Sequence, residues 1–205
     1  AAGVTKQVPA TSGTSTALEG VGFSASEVQF SVTATNDAAN AATRTSTPTT
    51  TFIWVVGQPL APTISSVTAT GQDNQATIAW KPSPAGQGWN PSDLSYQWTA
   101  GGGSWLPLTG STISGNGLSN GVASNVQIRA VGTKTGSAAA SPGSNAVSVT
   151  PFGPPVTPSM NCWASGATVT CQWAGGNANG RDTAFTLSGN QSGPVGPSGS
   201  TTFAG

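Results

Sequence analysis

An internal repeat is the feature that most constrains how this chain folds. The segment VVGQPLAPTI at residues 55–64 is similar to PFGPPVTPSM at residues 151–160, an offset of 96 residues. The same offset places VQFSVTAT at residues 28–35 over SNVQIRAV at residues 124–131. Apolar residues alternate in both of these last segments, which predicts a repeated β-strand with one buried face. A chain of this kind is built from modules rather than from one continuous core.

Further matches run forward from the middle of the chain. The similar pairs are ATIAW (76–80) with VTCQW (169–173), SYQWTAG (95–101) with AFTLSG (184–189), and GSTISG (110–115) with STTFAG (200–205). The offset falls from 96 in the opening repeat to 93 and 89 in the first two of these pairs, and it is 90 in the third. A falling offset is expected where surface loops shorten while strands keep their register.

The repeat predicts a half module, a whole module and a second half module. Residues 1–61 match the C-terminal half, residues 62–153 form the complete module, and residues 154–205 match the N-terminal half. The chain is therefore expected to begin and end inside modules, which adjoining polypeptide or another chain would complete. Proline at both joints fixes φ and removes a donor, so short and stiff connections are expected.

An all-β fold is predicted, because no long segment shows a helical period. Short runs rich in Val, Ile, Thr and aromatics alternate with clusters of Gly, Ser, Asn and Pro. This pattern is typical of an immunoglobulin-like β-sandwich with about seven strands. In the complete module we expect strands near residues 63–70, 75–81, 94–100, 104–108, 111–114, 122–131 and 143–150.

The complete module resembles the fibronectin type III family. The similarity lies in APTISSVTA, ATIAWKPSP, LSYQW, GLSNGVASNVQIRAVG and SNAVSVTP, and it covers nearly the whole chain as a half, a whole and a half. One departure is the tyrosine that the family usually has at the corner before the sixth strand. Ser124 and Val28 stand at that position, so the corner hydrogen bond is expected to be absent. SPGSNAVSVTPFGPP resembles tandem modules of large secreted or surface-anchored actinobacterial proteins, which implies an extracellular, secreted or cell-surface location.

Aromatic residues fall into two groups. The resemblance implies that Trp80 and Trp173, which close the second strands, belong to the core, and the alternation of Ala76, Ile78 and Trp80 agrees. Other tryptophans have less defined settings, so packing between modules or chains, local loop packing and stacking on sugar rings all stay open for them. The remaining expected core residues are Tyr96, Trp98, Ile128 and Val32, and the candidate interface aromatics are Trp54, Trp89 and Trp105.

Cys162 and Cys171 are the only cysteines. Two thiols alone cannot complete a zinc site. They lie on two predicted strands joined by the short turn ASGAT, and counting from that turn places them nearly opposite each other. A disulfide is the favoured interpretation and indicates an oxidising compartment, while two buried free thiols are the alternative.

The sequence offers little for catalysis or for charged partners. There is no histidine, and the carboxylates form no close pair in the sequence, so neither an enzyme nor a metal or cofactor site is expected. Six basic and six acidic residues cancel, which argues against nucleic acid as a partner. No run approaches the length of a membrane span. The carboxylates are Glu19, Glu27, Asp37, Asp73, Asp93 and Asp182.

A structural role follows from these observations as the leading hypothesis. The chain is expected to be an extracellular spacer, stalk or fibre segment whose partners are neighbouring modules or copies of the same chain, with a filament as one outcome. The alternative is a binding or accessory module, such as an adhesin or a polysaccharide-associated domain. Loss of glycan binding on replacing Trp89 or Trp105 by alanine would favour that alternative.

Overall fold

The structure is a computed structural model that describes residues 6, 15, 17–134, 139–181, 184–189 and 193–204. The rest of the chain lies outside the described residues, including most of the first 16 residues of the predicted N-terminal half module. Asp182, one of the carboxylates considered above, also lies outside them. Within the described ranges, no helix is both long and apolar enough to cross a membrane.

Strands dominate the described part of the chain, and each strand pair whose register is described there is antiparallel. The predicted all-β fold class is therefore confirmed. A four-residue helix, α1, spans Ala41–Arg44. The strands are β1 (Val28–Val32), β2 (Thr49–Ile53), β3 (Thr63–Ala69), β4 (Gln75–Lys81), β5 (Leu94–Ala100), β6 (Leu106–Pro107), β7 (Thr112–Ser114), β8 (Ser124–Gly132), β9 (Val147–Val149), β10 (Ser159–Ser165), β11 (Thr168–Ala174), β12 (Phe185–Leu187), β13 (Gly193–Val195) and β14 (Gly199–Ala204).

The described residues form five sheets, and the strand orders repeat along the chain. The complete module contributes β3-β4-β7 and β6-β5-β8-β9. The C-terminal region contributes β10-β11-β14 and β12-β13, and the N-terminal region contributes β1-β2. A three-stranded and a four-stranded antiparallel sheet form the β-sandwich architecture that the sequence pattern predicts.

Spatial proximity divides the chain into two compact units. The first unit is Ala1–Pro62, Pro82–Ser95 and Arg129–Pro142, and the second is Thr63–Lys81, Tyr96–Ile128 and Gly143–Gly205. This division passes through the predicted complete module. The predicted module boundaries after residues 61 and 153 therefore stay predictions.

Strand registers reproduce the sequence repeat. Ser124 of β8 pairs with Val149 of β9, and Val28 of β1 pairs with Ile53 of β2, so both partners keep the offset of 96. The pairs Gln75–Ser114 of β4-β7 and Thr168–Ala204 of β11-β14 also correspond, at the offsets of 93 and 90 found for these segments in the sequence. The repeat is therefore visible in backbone pairing as well as in residue type.

The last predicted strand of the complete module is shorter than expected, because serine hydroxyls replace part of its ladder. Ser144 Oγ accepts from the Ile128 N–H at 3.0 Å, and Ser141 Oγ accepts from the Ala130 N–H at 2.9 Å. Residues 143–146 therefore run beside β8 without forming a regular strand. In the N-terminal region, Ser46 Oγ accepts from the Ala34 N–H at 2.9 Å in the same manner.

The core of the complete module lies in the second unit. Its buried members come from both sheets, and Trp80 and Tyr96 pack against them as partly buried rings with centroids 4.5 Å apart. Trp173 is also partly buried, and its Nε1 donates to Gly196 O at 3.0 Å. The buried members are Ile64, Ala76, Ile78, Trp98, Ala100, Ile113, Leu118, Val126, Ile128 and Val149.

One core expectation from the sequence needs correction. Val32, expected in the core, is 68% exposed, because β1 pairs with β2 alone among the described residues. Ser124, which stands where the family usually has the corner tyrosine, is buried and donates its hydroxyl to Gly117 O at 2.8 Å.

The disulfide is confirmed. Cys162 of β10 pairs directly with Cys171 of β11, with Cα atoms 4.0 Å apart and an S–S distance of 2.11 Å. Cys171 is buried, at the position that Ile78 holds in the complete module. Closing a loop of about ten residues stabilises by roughly 2–3 kcal/mol in the chain-entropy model.

Candidate functional site at the module joints

Two joints connect the repeated segments, and their backbones match. We define the first joint as residues 54–58 with residues 87–89, and the second joint as residues 151–154 with residues 179–181. The Gly57 N–H donates to Gln87 O at 2.9 Å, and the Gly153 N–H donates to Asn179 O at 3.0 Å. Gln87 and Asn179 both have positive φ, at 51° and 53°.

A glycine with positive φ follows at each joint, and the space beside it explains the choice. The φ angles of Gly88 and Gly180 are 80° and 95°. A Cβ on Gly88 would lie 2.9 Å from Val55 O, and a Cβ on Gly180 would lie 2.8 Å from Pro151 O. Because Val55 and Pro151 are also 96 residues apart, the same close approach occurs twice. Only glycine meets both the dihedral and the steric requirement.

Trp89 closes the first joint. Its side chain is fully buried, and its Nε1 donates to Gly57 O at 2.8 Å. The ring lies against Gly132 so closely that a Cβ there would overlap it. The sequence left local loop packing, packing between modules or chains and stacking on sugar rings open for this tryptophan, and the structure encloses its ring within the first unit.

Lys134 is the centre of the first joint's polar contacts. Its side chain is only 5% exposed, yet its Nζ donates to Gly88 O at 2.6 Å and lies 3.1 Å from Asp93 Oδ2. Nζ also lies 4.0 Å from the Trp54 ring centroid and 5.3 Å from that of Trp89. A carboxylate, a carbonyl and two aromatic faces thus replace the water that this ammonium group loses on burial.

Asp93 is held in place by its own local structure. It ends a 3-10 turn at Pro91–Asp93, and its Oδ2 accepts from the Asn90 N–H at 2.8 Å. That backbone hydrogen bond is the main cause that lowers the pKa of Asp93, with Lys134 adding to it and partial burial opposing it. The Thr133 N–H donates to Asp93 O at 3.0 Å, which brings Lys134 to the carboxylate.

The second joint uses amide side chains instead. Asp73 Oδ1 accepts from Asn179 Nδ2 at 2.6 Å and from Asn120 Nδ2 at 2.9 Å. Asn120 Nδ2 also donates to Asn179 Oδ1 at 2.7 Å, and Asn179 Nδ2 donates to Pro154 O at 2.9 Å. The network lies so close to Gly153 that a Cβ there would overlap the Asp73 carboxylate.

An aromatic contact completes the second joint. The guanidinium of Arg181 lies 4.1 Å from the ring centroid of Phe152. Arg181 follows Gly180 as Trp89 follows Gly88, so the two joints place different side chains at one backbone position. Phe152 lies 96 residues after Val56.

The three predicted interface aromatics do not lie together in the structure. Trp54 is partly buried beneath Lys134, and Trp89 is buried at the same joint. Trp105 belongs to neither joint; its ring lies beside Gly143, 3.7 Å from the position a Cβ would take.

Sequence reasoning missed the polar residues of both joints. Sequence analysis named Asp93 and Asp73 only as carboxylates without a close partner in the sequence, and it did not single out Lys134, Asn120 or Asn179. One signal was present in the sequence: GlnGly at residues 87–88 and AsnGly at residues 179–180 occupy equivalent places in the repeat. In the part of the chain that the structure describes, no three His, Cys, Asp or Glu side chains group as metal ligands would.

Comparisons with known proteins add little to this geometry. No protein-family model matches the sequence, and no curated protein matches it. Among solved structures, the chain is similar to the crystal structure of the FN1–FN3 domains of chicken CNTN1, with 13% sequence identity and a TM-score of 0.34. The match covers 86% of this chain and 66% of that one. At this level of similarity the assignment of the fold rests on the sheets described above.

Proposed function

We propose that the chain is a structural segment of an extracellular array of fibronectin type III-like modules, acting as a spacer, stalk or fibre. The observation that carries the proposal is the joint backbone, which occurs twice with the same hydrogen bond and the same pair of positive-φ residues. A flexible linker would leave neighbouring modules free to reorient. Here the joint glycine is hydrogen-bonded to the next loop, which supports connections of defined geometry.

An extracellular setting is part of the proposal. The Cys162–Cys171 disulfide favours an oxidising compartment. The charged fraction of only 6% leaves Ser, Thr, Asn and Gln to hydrate the surface. This composition suits a role in spacing better than one in recognising charged ligands.

Small-angle scattering tests the spacer role. Modules held at fixed joints should give an elongated particle, with about 35–40 Å per module for strands of 5–7 residues plus end loops. A flexible Gly-Ser insertion between Gln58 and Pro59 should broaden the distance distribution. The same insertion among the exposed residues 101–103 is the matched control and should leave the distribution unchanged. A radius of gyration of about 17 Å, the value for a compact globule of this length, would exclude the spacer role.

The alternative of a glycan-binding module gains no support from the two tryptophans proposed to test it, Trp89 and Trp105. Trp89 is enclosed at the first joint, so it offers no face to a sugar ring. Trp105 is partly buried and offers a sugar ring only part of its surface. Glycan-array binding that is lost in Trp105→Ala would reopen this alternative.

A further inference from the structure

In the part of the chain that the structure describes, two strand pairs lack the neighbouring strands that their equivalents have. Among the described residues, β12 pairs with β13 alone and β1 pairs with β2 alone. In the complete module the equivalents of these four strands form one sheet, β6-β5-β8-β9. Neither pair has, among the described residues, the contact that is equivalent to the one between β5 and β8.

The complete module shows the register of the contact between β5 and β8. The Gly101 N–H donates to Asn125 O at 3.0 Å, and the Thr133 N–H donates to Asp93 O at 3.0 Å. Both bonds fit one antiparallel register, which places Trp98 opposite Ile128. Trp98 is 4% exposed and Ile128 is 0% exposed, so this pair lies in the core.

The same positions are uncovered in the half modules. Val32, at the place of Ile128, is 68% exposed, and Ile53, at the place of Val149, is 48% exposed against 7%. Met160, at the place of Ile64, is 58% exposed against 3%. An open cleft of about 550 Å³ lies over this face of the C-terminal half module, lined by residues that include Met160, Trp173, Phe185, Leu187 and Val195.

We propose that β1–β2 of a second copy of this chain adds to the free edge of β12. The resulting sheet has the order β13-β12-β1-β2, which reproduces β6-β5-β8-β9. The repeat offsets then place Leu187 opposite Val32 of the second copy and Phe185 opposite its Ala34. The inference rests on the proposed tandem-module function and deepens it by naming the partner and the register.

A second copy fits this edge because each chain carries both complementary halves. The β1–β2 register equals the β8–β9 register, so the added pair already has the geometry that the edge requires. The sequences VQFSV, TTTFI, FTL and GPV contain no charged residue, so no like charges meet when copies join. Since the surface that gives strands differs from the surface that receives them, joining is head to tail and continues into a filament.

Single-cysteine variants test the register directly. In the complete module, Trp98 and Ile128 form a pair without mutual hydrogen bonds, whose Cα atoms lie about 4.5 Å apart in an antiparallel ladder, within reach of a disulfide. Leu187→Cys mixed with Val32→Cys under mild oxidation should therefore give a covalent dimer of the two variants. Thr186→Cys, whose side chain points to the other face of β12, is the matched control and should give none with Val32→Cys.

The unmodified chain gives an independent measurement. Amide-exchange protection of residues 185–187 should rise with protein concentration, and sedimentation should show a growing series of oligomers. A chain that sediments as a monomer throughout, with unchanged exchange, overturns the proposal even if a cysteine variant fails to fold. Equal crosslinking by Leu187→Cys and Thr186→Cys also overturns it. The scattering test of the joints is made on dilute monomer, so its failure is distinguishable from failure here.

Discussion

The first and second joints share a backbone and differ in the side chains that surround it. At the first joint, a buried lysine contacts a carboxylate and two tryptophan rings. At the second, three polar side chains from separate loops bond to one another through amide groups. The constant parts are a glycine amide, a positive-φ residue and a second glycine. The two joints thus share their backbone contacts and differ in the side chains that stabilise them.

The largest difference between the joints should come from Trp89 and its counterpart Arg181. Trp89→Ala removes a fully buried ring and a hydrogen bond to Gly57 O, and should cost about 3–5 kcal/mol of unfolding free energy. Arg181→Ala removes an exposed side chain over Phe152 and should cost about 0.5–1 kcal/mol. Chemical denaturation of the two variants measures both values. Equal costs would contradict the assignment of the first joint as the more tightly packed one.

The shared backbone is tested by alanine at the two glycines. Gly88→Ala and Gly180→Ala should each cost about 1–3 kcal/mol from positive φ alone, with a further cost from the carbonyl contacts. Faster amide exchange at Gly57 and Gly153 should report the local loss. Gly115→Ala is the control, because its φ is 63° and nothing lies within 4 Å of the added Cβ. If Gly115→Ala costs as much as the other two, the close approach contributes nothing.

Charge is tested at Asp93 and Asp73. Asp93→Asn keeps an acceptor for the Asn90 N–H but leaves buried Lys134 facing a neutral group, and should cost about 1–2 kcal/mol, reduced because the carboxylate is partly exposed to solvent. Asp73→Asn keeps the acceptor for Asn179 and Asn120, so its cost should stay below about 1 kcal/mol. Thermal denaturation at neutral pH compares the pair. The reverse order of costs would show that the amide network depends on charge more than the lysine does.

Lowering the pH is expected to have the smallest effect on stability among these tests. Because the pKa of Asp93 is lowered in the folded chain, its contribution is fully present above the unfolded value of about 3.9 and is lost as pH falls through the folded pKa. The difference in melting temperature between the unmodified chain and Asp93→Asn should therefore shrink below about pH 4. Melting curves from pH 6 to pH 2 measure it. A difference that is independent of pH would mean that the carboxylate acts only as a hydrogen-bond acceptor.

The strands of the complete module were predictable because their pattern is local. Alternation in VQIRA and ATIAW identifies the strands from nearest neighbours in sequence, and the repeat offset supplies the registers of β1–β2 and β11–β14. The cysteine pair was predictable for the same reason, since a short turn fixes which residues face each other. Val32 was misplaced because burial depends on the opposite sheet, which strand alternation does not report.

The joints were harder to predict because their contacts join distant loops. Asp93 directly precedes β5 and Lys134 follows β8, so the two residues come together through the pairing of these strands. Asp73, Asn120 and Asn179 come from three separate loops, and no residue pattern marks them as neighbours. Positive φ at Gln87 was likewise hidden, because glutamine is an uncommon residue in that conformation.

The disulfide across β10 and β11 also determines how the chain would lengthen under load. Cys162 and Cys171 are nine positions apart, and their Cα atoms lie 4.0 Å apart. If the chain is pulled from its ends, tension crosses the S–S bond and the intervening hairpin carries none. Full extension is then shorter by roughly 25–30 Å than for the reduced chain, at about 3.3–3.6 Å per extended residue. The C-terminal half module is therefore less extensible when oxidised than when reduced, and its maximum extended length depends on the redox state of its surroundings.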